Sequence, residues 1–293
     1  MNRPKSVKST LLEHHLAPSK RLGQNFLIHR ATAESIVSAA GFSPADLVVE
    51  VGVGLGALTI PLAAMVNQVI GIELDQGLIR YHEQERILPT NVSLVHGDVL
   101  RIDLTHLADQ AGQRLKIIAN LPYSISNPFI FRIIEYRQVI DQVVVMLQKE
   151  VADRLSAAPN TKSYGIPTVL LGSCARIERL LILSPDHFHP RPKIDSQVIR
   201  ITFLHDDPQP VPFDRLQQLV RAAFASRRKT LVNNLLASTL GLGEKKNSRA
   251  SLPEQRRQHI LHALATLGLS PSIRGETLTV EQFQALTAAL WPS

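Results

Sequence analysis

Through the first two thirds of the chain, short apolar runs end abruptly in glycine or a polar residue. Asp46-Leu47-Val48-Val49-Glu50-Val51, Gln68-Val69-Ile70-Gly71-Ile72-Glu73 and Val92-Ser93-Leu94-Val95-His96 have the length and β-branched content of buried strands. Ile117-Ile118-Ala119-Asn120 and the stretch Gln142 to Gln148 continue the series. Helical segments separate them: Ala31 to Ala40, stopped by Gly41 as a C′ residue, a segment reaching Met65, and Lys149 to Ala157. Strands of this kind joined by helices predict an open, mainly parallel sheet. Leu170 to Leu183 reads as alternating strand material around Arg176 and Glu178, and Gln197 to Phe203 as one more strand.

The pattern changes at Asp206-Asp207-Pro208-Gln209-Pro210-Val211-Pro212, whose three prolines mark a boundary. Beyond it Phe213, Leu216, Leu219, Val220, Ala223 and Phe224 share one helical face. Pro253 opens a helix running to Leu267, and Thr279 with Gln282 caps a last one. Three divisions follow: a loose arm over 1–19 without periodicity, an α/β domain over 20–205 and a helical domain over 206–293.

Charge refines this division. The net +7 is concentrated at the two ends: residues 1–21 carry five Lys and Arg against Glu13, and 206–293 carry eleven against seven acids, a net of +4. Residues 22–205 carry sixteen against seventeen, a net of −1. Basic flanks around a neutral middle point to a polyanion, because nucleic-acid binding runs on phosphate neutralisation. A single cysteine, Cys174, in an apolar run excludes a disulfide scaffold and Cys-based metal sites. His14, His15, His187 and His189 lack metal-ligand spacing, so no metal is expected. No run is long enough for a membrane span and the N-terminus lacks an apolar leader core, which makes a cytoplasmic protein the expectation.

The strand ends carry the candidate chemistry. The first strand runs into Gly52-Val53-Gly54-Leu55-Gly56 and a helix, so main chain can approach a ligand closely beside free N–H groups. The next strands end in Glu73, about twenty residues on, then Gly97-Asp98, then Asn120. Ligands of open parallel sheets bind at those carboxyl ends. The glycine spacing is not that of a dinucleotide site, and the adenosyl moiety of S-adenosylmethionine fits better, with Glu73 on the ribose hydroxyls and Asp98 accepting from the adenine amine. In Asn120-Leu121-Pro122-Tyr123, Asn120 Oδ1 and the Leu121 carbonyl can accept the two hydrogens of a planar amine while Tyr123 stacks on its ring. Phe188, in the stiff loop Phe188-His189-Pro190-Arg191-Pro192-Lys193, is a second stacking candidate, with Arg191 and Lys193 beside it for phosphate. Arg227-Arg228-Lys229 form a further cation cluster.

The ordered motifs LGQNFL (22–27), EVGVGLGALT (50–59), GIELD (71–75), GDVL (97–100), NLPYSIS (120–126), HPRPKIDS (189–196) and RRKTLVNNL (227–235) resemble those of the ribosomal RNA adenine-N6,N6-dimethyltransferases, closest to the bacterial enzyme of the small subunit. The resemblance covers about residues 20 to 290 and implies a Rossmann-like, S-adenosylmethionine-dependent methyltransferase sheet with a small C-terminal all-helical domain. It implies cofactor roles for Asn25, Leu27, Gly52, Glu73, Asp98 and Asn120, with Gly54 and Gly56 in the same loop. Target-base roles fall on Asn120, Leu121, Tyr123 and Phe188. Arg191, Lys193, Arg227, Arg228 and Lys229 are the expected RNA contacts, and a monomer acting on small-subunit RNA in an assembling particle is the expected context. Val53 stands where the family has proline, which is expected to loosen the glycine loop. Val232 stands where it has arginine, which removes one RNA contact. The rival readings are a large-subunit adenine methyltransferase of the antibiotic-resistance type, a DNA adenine methyltransferase, and an RNA-binding assembly factor without essential catalysis.

Overall fold

The computed structural model describes residues 6–14, 16, 18, 23–205, 210–240 and 252–292. Lys20, Arg21 and Leu22, positions 206–209 of the proline-rich stretch, and Lys245 and Lys246 lie outside them. The chain forms two compact units. One comprises 1–152 with 176–203, and the other 153–175 with 204–293.

The elements of the first unit, in chain order, are α1 (Val7–Glu13), β1 (Phe26–Leu27), α2 (Arg30–Ala40), β2 (Leu47–Val51), α3 (Thr59–Ala63), β3 (Gln68–Glu73) and α4 (Gln76–Glu85). They continue with β4 (Val92–His96), α5 (Leu104–Ala111), β5 (Leu115–Asn120), α6 (Ser126–Glu135) and β6 (Ile140–Gln148). Next along the chain come α7 (Lys149–Leu155), α8 (Ile166–Gly172), β7 (Ala175–Leu183), β8 (Phe188–His189) and β9 (Ser196–Phe203). The helices α9 (Phe213–Ala223), α10 (Leu231–Ala237), α11 (Leu252–Thr266) and α12 (Val280–Leu290) belong to the second unit.

Seven strands form one sheet in the order β4-β3-β2-β5-β6-β9-β7. The pairs β3–β4, β2–β3, β2–β5 and β5–β6 are parallel, whereas β6 and β9 run antiparallel. The apolar runs become strands because both faces are covered: Val48, Val49, Ile117, Val143, Val144 and Val145 are all 0% exposed. Strand order reverses between β2 and β5, so the ends of β2, β3 and β5 meet where an open sheet has its binding crevice. Gly41 ends α2 in the left-handed conformation, φ 67°.

Three sequence expectations change. The arm over 1–19 contains a helix: Ser6 Oγ caps α1 by accepting from Ser9 N, and Leu11 is 4% exposed. The reading of Leu170 to Leu183 as strand fails at its start, because Val169, Leu170 and Leu171 belong to α8. Pro167 in the first turn of α8 favours that helix, and a short apolar run alone does not separate helix from strand. Residues 153–175, placed by sequence in the α/β domain, pack with the helices instead, and the second unit resumes at Leu204, close to the expected boundary. Within it Phe213, Leu216, Leu219, Val220 and Ala223 form the buried face of α9, and Thr279 and Gln282 make the capping box of α12. Among the described residues no helix is long and apolar enough to cross a membrane, and no group of three or more His, Cys, Asp or Glu is placed to hold a metal ion.

Candidate active site

The ends of β2, β3 and β5 and the turn after β4 open into one cavity of about 1280 Å³. Gly52, Gly54 and Gly56 carry the main chain along it with φ of 81°, 59° and 85°, a region that side chains with a Cβ rarely adopt. Two side chains fix this loop. Glu73 Oε2 accepts from Gly54 N at 2.9 Å, and His82 Nε2 donates to the Gly54 carbonyl at 2.8 Å. Burial holds the His82 pKa below its ordinary value and so favours the neutral ring.

Val53, expected to loosen the loop, packs against β3. It is 3% exposed, and a Cβ on Gly71 of β3 would stand 2.6 Å from Val53 Cγ2. The missing side chain at 71 makes the hollow that Val53 fills.

Glu73 is 5% exposed, with Oε1 accepting from Asp75 N at 2.8 Å. Burial raises its pKa while the backbone N–H donors oppose the shift. Each carboxylate oxygen keeps a second lone pair for a ligand hydroxyl. Asp98 lines the cavity half-buried: Oδ1 accepts from Leu100 N at 2.9 Å, while Oδ2 lies 3.7 Å from Arg101 Nε.

Asn120 ends β5, and its Nδ2 donates to the Asn25 carbonyl at 3.1 Å. Only the amide nitrogen can donate to a carbonyl, so this bond fixes the side-chain orientation and leaves Oδ1 as the acceptor. Asn25 is itself held by donation from Nδ2 to the Gly23 carbonyl at 3.1 Å. The 22–27 motif therefore positions the amide of the 120–126 motif. Leu121 and Leu27 line the cavity, with Leu27 also packed in the apolar core.

The two expected stacking rings are placed differently. Tyr123 Oη lies 2.7 Å from Ser196 Oγ on β9, and its ring does not line the cavity. Burial raises its pKa. Phe188 is 4% exposed, because the β1–β8 pairing sets it opposite Leu27 and within the core cluster. In this conformation it has no face open to a base.

The cation set also divides. Arg227 donates from Nη1 to the Lys162 carbonyl at 2.8 Å and from Nη2 to the Tyr164 carbonyl at 2.6 Å, with Glu276 at 4.0 Å. It clamps a loop of its own unit. Arg228, Lys229 and Lys193 are exposed, and Arg191 is exposed beside Asp186 at 2.9 Å. Val232, at 3% exposure, is one of the buried residues of α10.

One residue escaped the sequence reading. Glu50, inside β2, is 1% exposed and lines the cavity, and its Oε2 has no hydrogen-bond partner among the described residues. Burial pushes its pKa up to about 8, with the Glu73 charge adding to the shift. The Thr59 hydroxyl beside it opposes the shift but makes no hydrogen bond of ordinary geometry. The only sequence signal was a carboxylate two residues before the first glycine, which also suits a strand end.

The model of the family described as ribosomal RNA adenine dimethylase matches residues 17–256. A "Ribosomal RNA small subunit methyltransferase A" from Desulfotalea psychrophila is 47% identical, over 96% of this chain and 94% of its own length. Its namesake from Syntrophus aciditrophicus is 40% identical over 97% and 98%. Among solved structures, a dimethyladenosine transferase from Plasmodium falciparum superposes with a TM-score of 0.74 at 24% identity, covering 89% of this chain and 95% of that one. The 23S rRNA methyltransferase ErmE gives 0.64 at 23%, covering 90% and 99%. Both structures share the fold. The oriented Asn120 amide, the glycine loop and the full-length similarity lead to one conclusion: the chain belongs to the ribosomal RNA adenine dimethylase family.

Proposed function

We propose that the cavity holds S-adenosylmethionine and that the protein N6,N6-dimethylates adenines, two adjacent ones, in small-subunit ribosomal RNA during assembly of the particle. The observation that carries this reading is the Asn25–Asn120 bond, which turns Asn120 Oδ1 into a fixed acceptor. The donor set fits the cofactor. Glu50 offers a buried, unpartnered carboxyl oxygen to a cationic ligand, Glu73 has lone pairs left for ribose hydroxyls, and Asp98 Oδ2 suits the adenine amine. When bound, S-adenosylmethionine supplies an electrophilic methyl group on sulfonium.

The adenine N6 lone pair is delocalised into its ring, so the protein must localise it. With Asn120 Oδ1 and the Leu121 carbonyl each accepting one N–H, the nitrogen can pyramidalise and present its lone pair. Positioning of this kind can supply up to roughly 7–11 kcal/mol of the barrier. Each transfer consumes the lone pair and leaves a cationic nitrogen; once it has lost one proton to solvent, one N–H and the lone pair remain for a second round. Tyr123 and Phe188 contribute to base stacking only if RNA docking uncovers them. Lys193, Arg191, Arg228 and Lys229 are the phosphate contacts of this reading, and Arg227 is not.

Labelled methyl transfer to immature small subunits, naked RNA of both subunits and duplex DNA tests the proposal. Small-subunit RNA should be the methyl acceptor. Transfer to naked large-subunit RNA alone, or to DNA, would replace this reading with a rival, and binding without transfer would leave an assembly factor.

A further inference from the structure

The helix α1 lies outside the family motifs, yet it reaches the cavity. Val7, Thr10, Leu11 and His14 are its buried or half-buried positions, while Lys8, Ser9, Leu12 and Glu13 are exposed. The spacing i, i+3, i+4, i+7 is one helical stripe. Along it Val7, Thr10 and His14 line the same cavity as Glu73, Asp98 and Asn120. Leu11, 4% exposed, packs with Phe26 and Leu78. The His14 ring meets Tyr81 edge-on at 4.8 Å.

The two Leu11 partners connect α1 to the elements that shape the site. Phe26 follows Asn25, and its ring would stand 3.3 Å from a Cβ on Gly54. Leu78 lies on α4, the helix that carries His82 to the Gly54 carbonyl. A helix of 7 residues does not persist alone in water, so α1 is helical because it is docked. Leu11 is its one buried side chain, with Val7 packed at the edge of the same cluster and His14 Nδ1 3.8 Å from Glu85 Oε1 on α4, a small attachment that bound ligand can strengthen.

We infer that α1 is a cofactor-binding element, anchored by Leu11, with Thr10 and His14 facing the bound cofactor. This rests on reading the cavity as the S-adenosylmethionine site. Cofactor binding and α1 docking are then mutually dependent: ligand that contacts only the docked helix stabilises it, and undocking speeds release.

Hydrogen exchange of residues 7–14 in the full-length protein, with and without saturating S-adenosylmethionine, tests the coupling alongside calorimetry. Cofactor should slow exchange there about tenfold or more, and Leu11→Asp should weaken cofactor affinity by about tenfold and raise the dissociation rate, the equivalent of ~1.4 kcal/mol. Unchanged exchange in wild-type protein that binds S-adenosylmethionine would overturn the inference, as would wild-type affinity in a folded Leu11→Asp protein. If Leu11→Asp fails to fold, the wild-type exchange result and the milder Leu11→Ala decide. Wild-type protein with no calorimetric binding would instead refute the cofactor reading and this inference with it.

Discussion

At the scale of single residues, Asn120 and Glu50 show what a sequence reveals and what it hides. Asn120 was legible in position only, as the polar residue that ends an apolar run at the carboxyl edge of the sheet. Glu50 was not, because its significance lies in an oxygen without a partner, which no spacing encodes. With its folded pKa raised from 4.5 to about 8, Glu50 contributes stability that is fully present below pH 4.5 and lost as pH rises through about 8. Glu50→Gln, neutral throughout, should therefore gain in melting temperature relative to wild type between pH 5 and 9. Parallel curves for the two proteins would mean that Glu50 is ionised in the folded state. For Asn120→Ala, calorimetry should show cofactor binding largely retained while single-turnover methyl transfer falls more than about tenfold, a barrier increase above ~1.4 kcal/mol. A rate within that factor of wild type would remove the two-acceptor mechanism.

At the scale of elements, β2, β3, β4 and β5 lie within two residues of the runs read from the sequence: β2 and β5 are runs buried on both faces, while the edge strand β4, with Ser93 and His96 exposed, was legible because its run stops at Gly97-Asp98. The misreadings fall where local pattern underdetermines structure. In α8, Val169-Leu170-Leu171 suits helix or strand equally, and its partners α9 and α12 come from distant sequence. In α1, the stripe spans only about two turns, and its partners Phe26 and Leu78 lie outside that stretch of sequence. The fit between β3 and the glycine loop was also invisible, because it joins Gly71 to Val53 across two strands. Gly71→Ala should place a methyl against Val53 and destabilise the protein by about 1–3 kcal/mol. Val53→Ala in the same chain should recover much of that loss, because the residues share one contact. Additive effects in denaturant unfolding would show that the hollow at Gly71 does not hold Val53.

At the scale of the whole molecule, a net +4 over 206–293 against −1 over 22–205 suggests that the helical segment docks RNA while the sheet holds the cofactor, and two features of the structure decide how that is tested. Residues 153–175 belong with the helices, so truncation near Asp207 would strip α8 of α9 and α12 and expose Val169, Leu170 and Leu171. Arg227 is a clamp, so its charge reversal would damage its unit before it reported on RNA. Exposed Arg228 and Lys229 are the appropriate probes. Their joint reversal should flatten the dependence of log affinity on log salt by about 0.7–0.9 per lost contact, with cofactor binding unchanged. An unaltered slope would assign those cations to solvation.

Nucleoside analysis reads the product and the substrate of the reaction together. Immature small subunits incubated with the protein and S-adenosylmethionine would be digested and their adenosines separated by mass. The account predicts N6,N6-dimethyladenosine from small-subunit RNA with wild type and none with Asn120→Ala. Only N6-monomethyladenosine at completion, or dimethyladenosine confined to large-subunit RNA in a parallel digest, would contradict it.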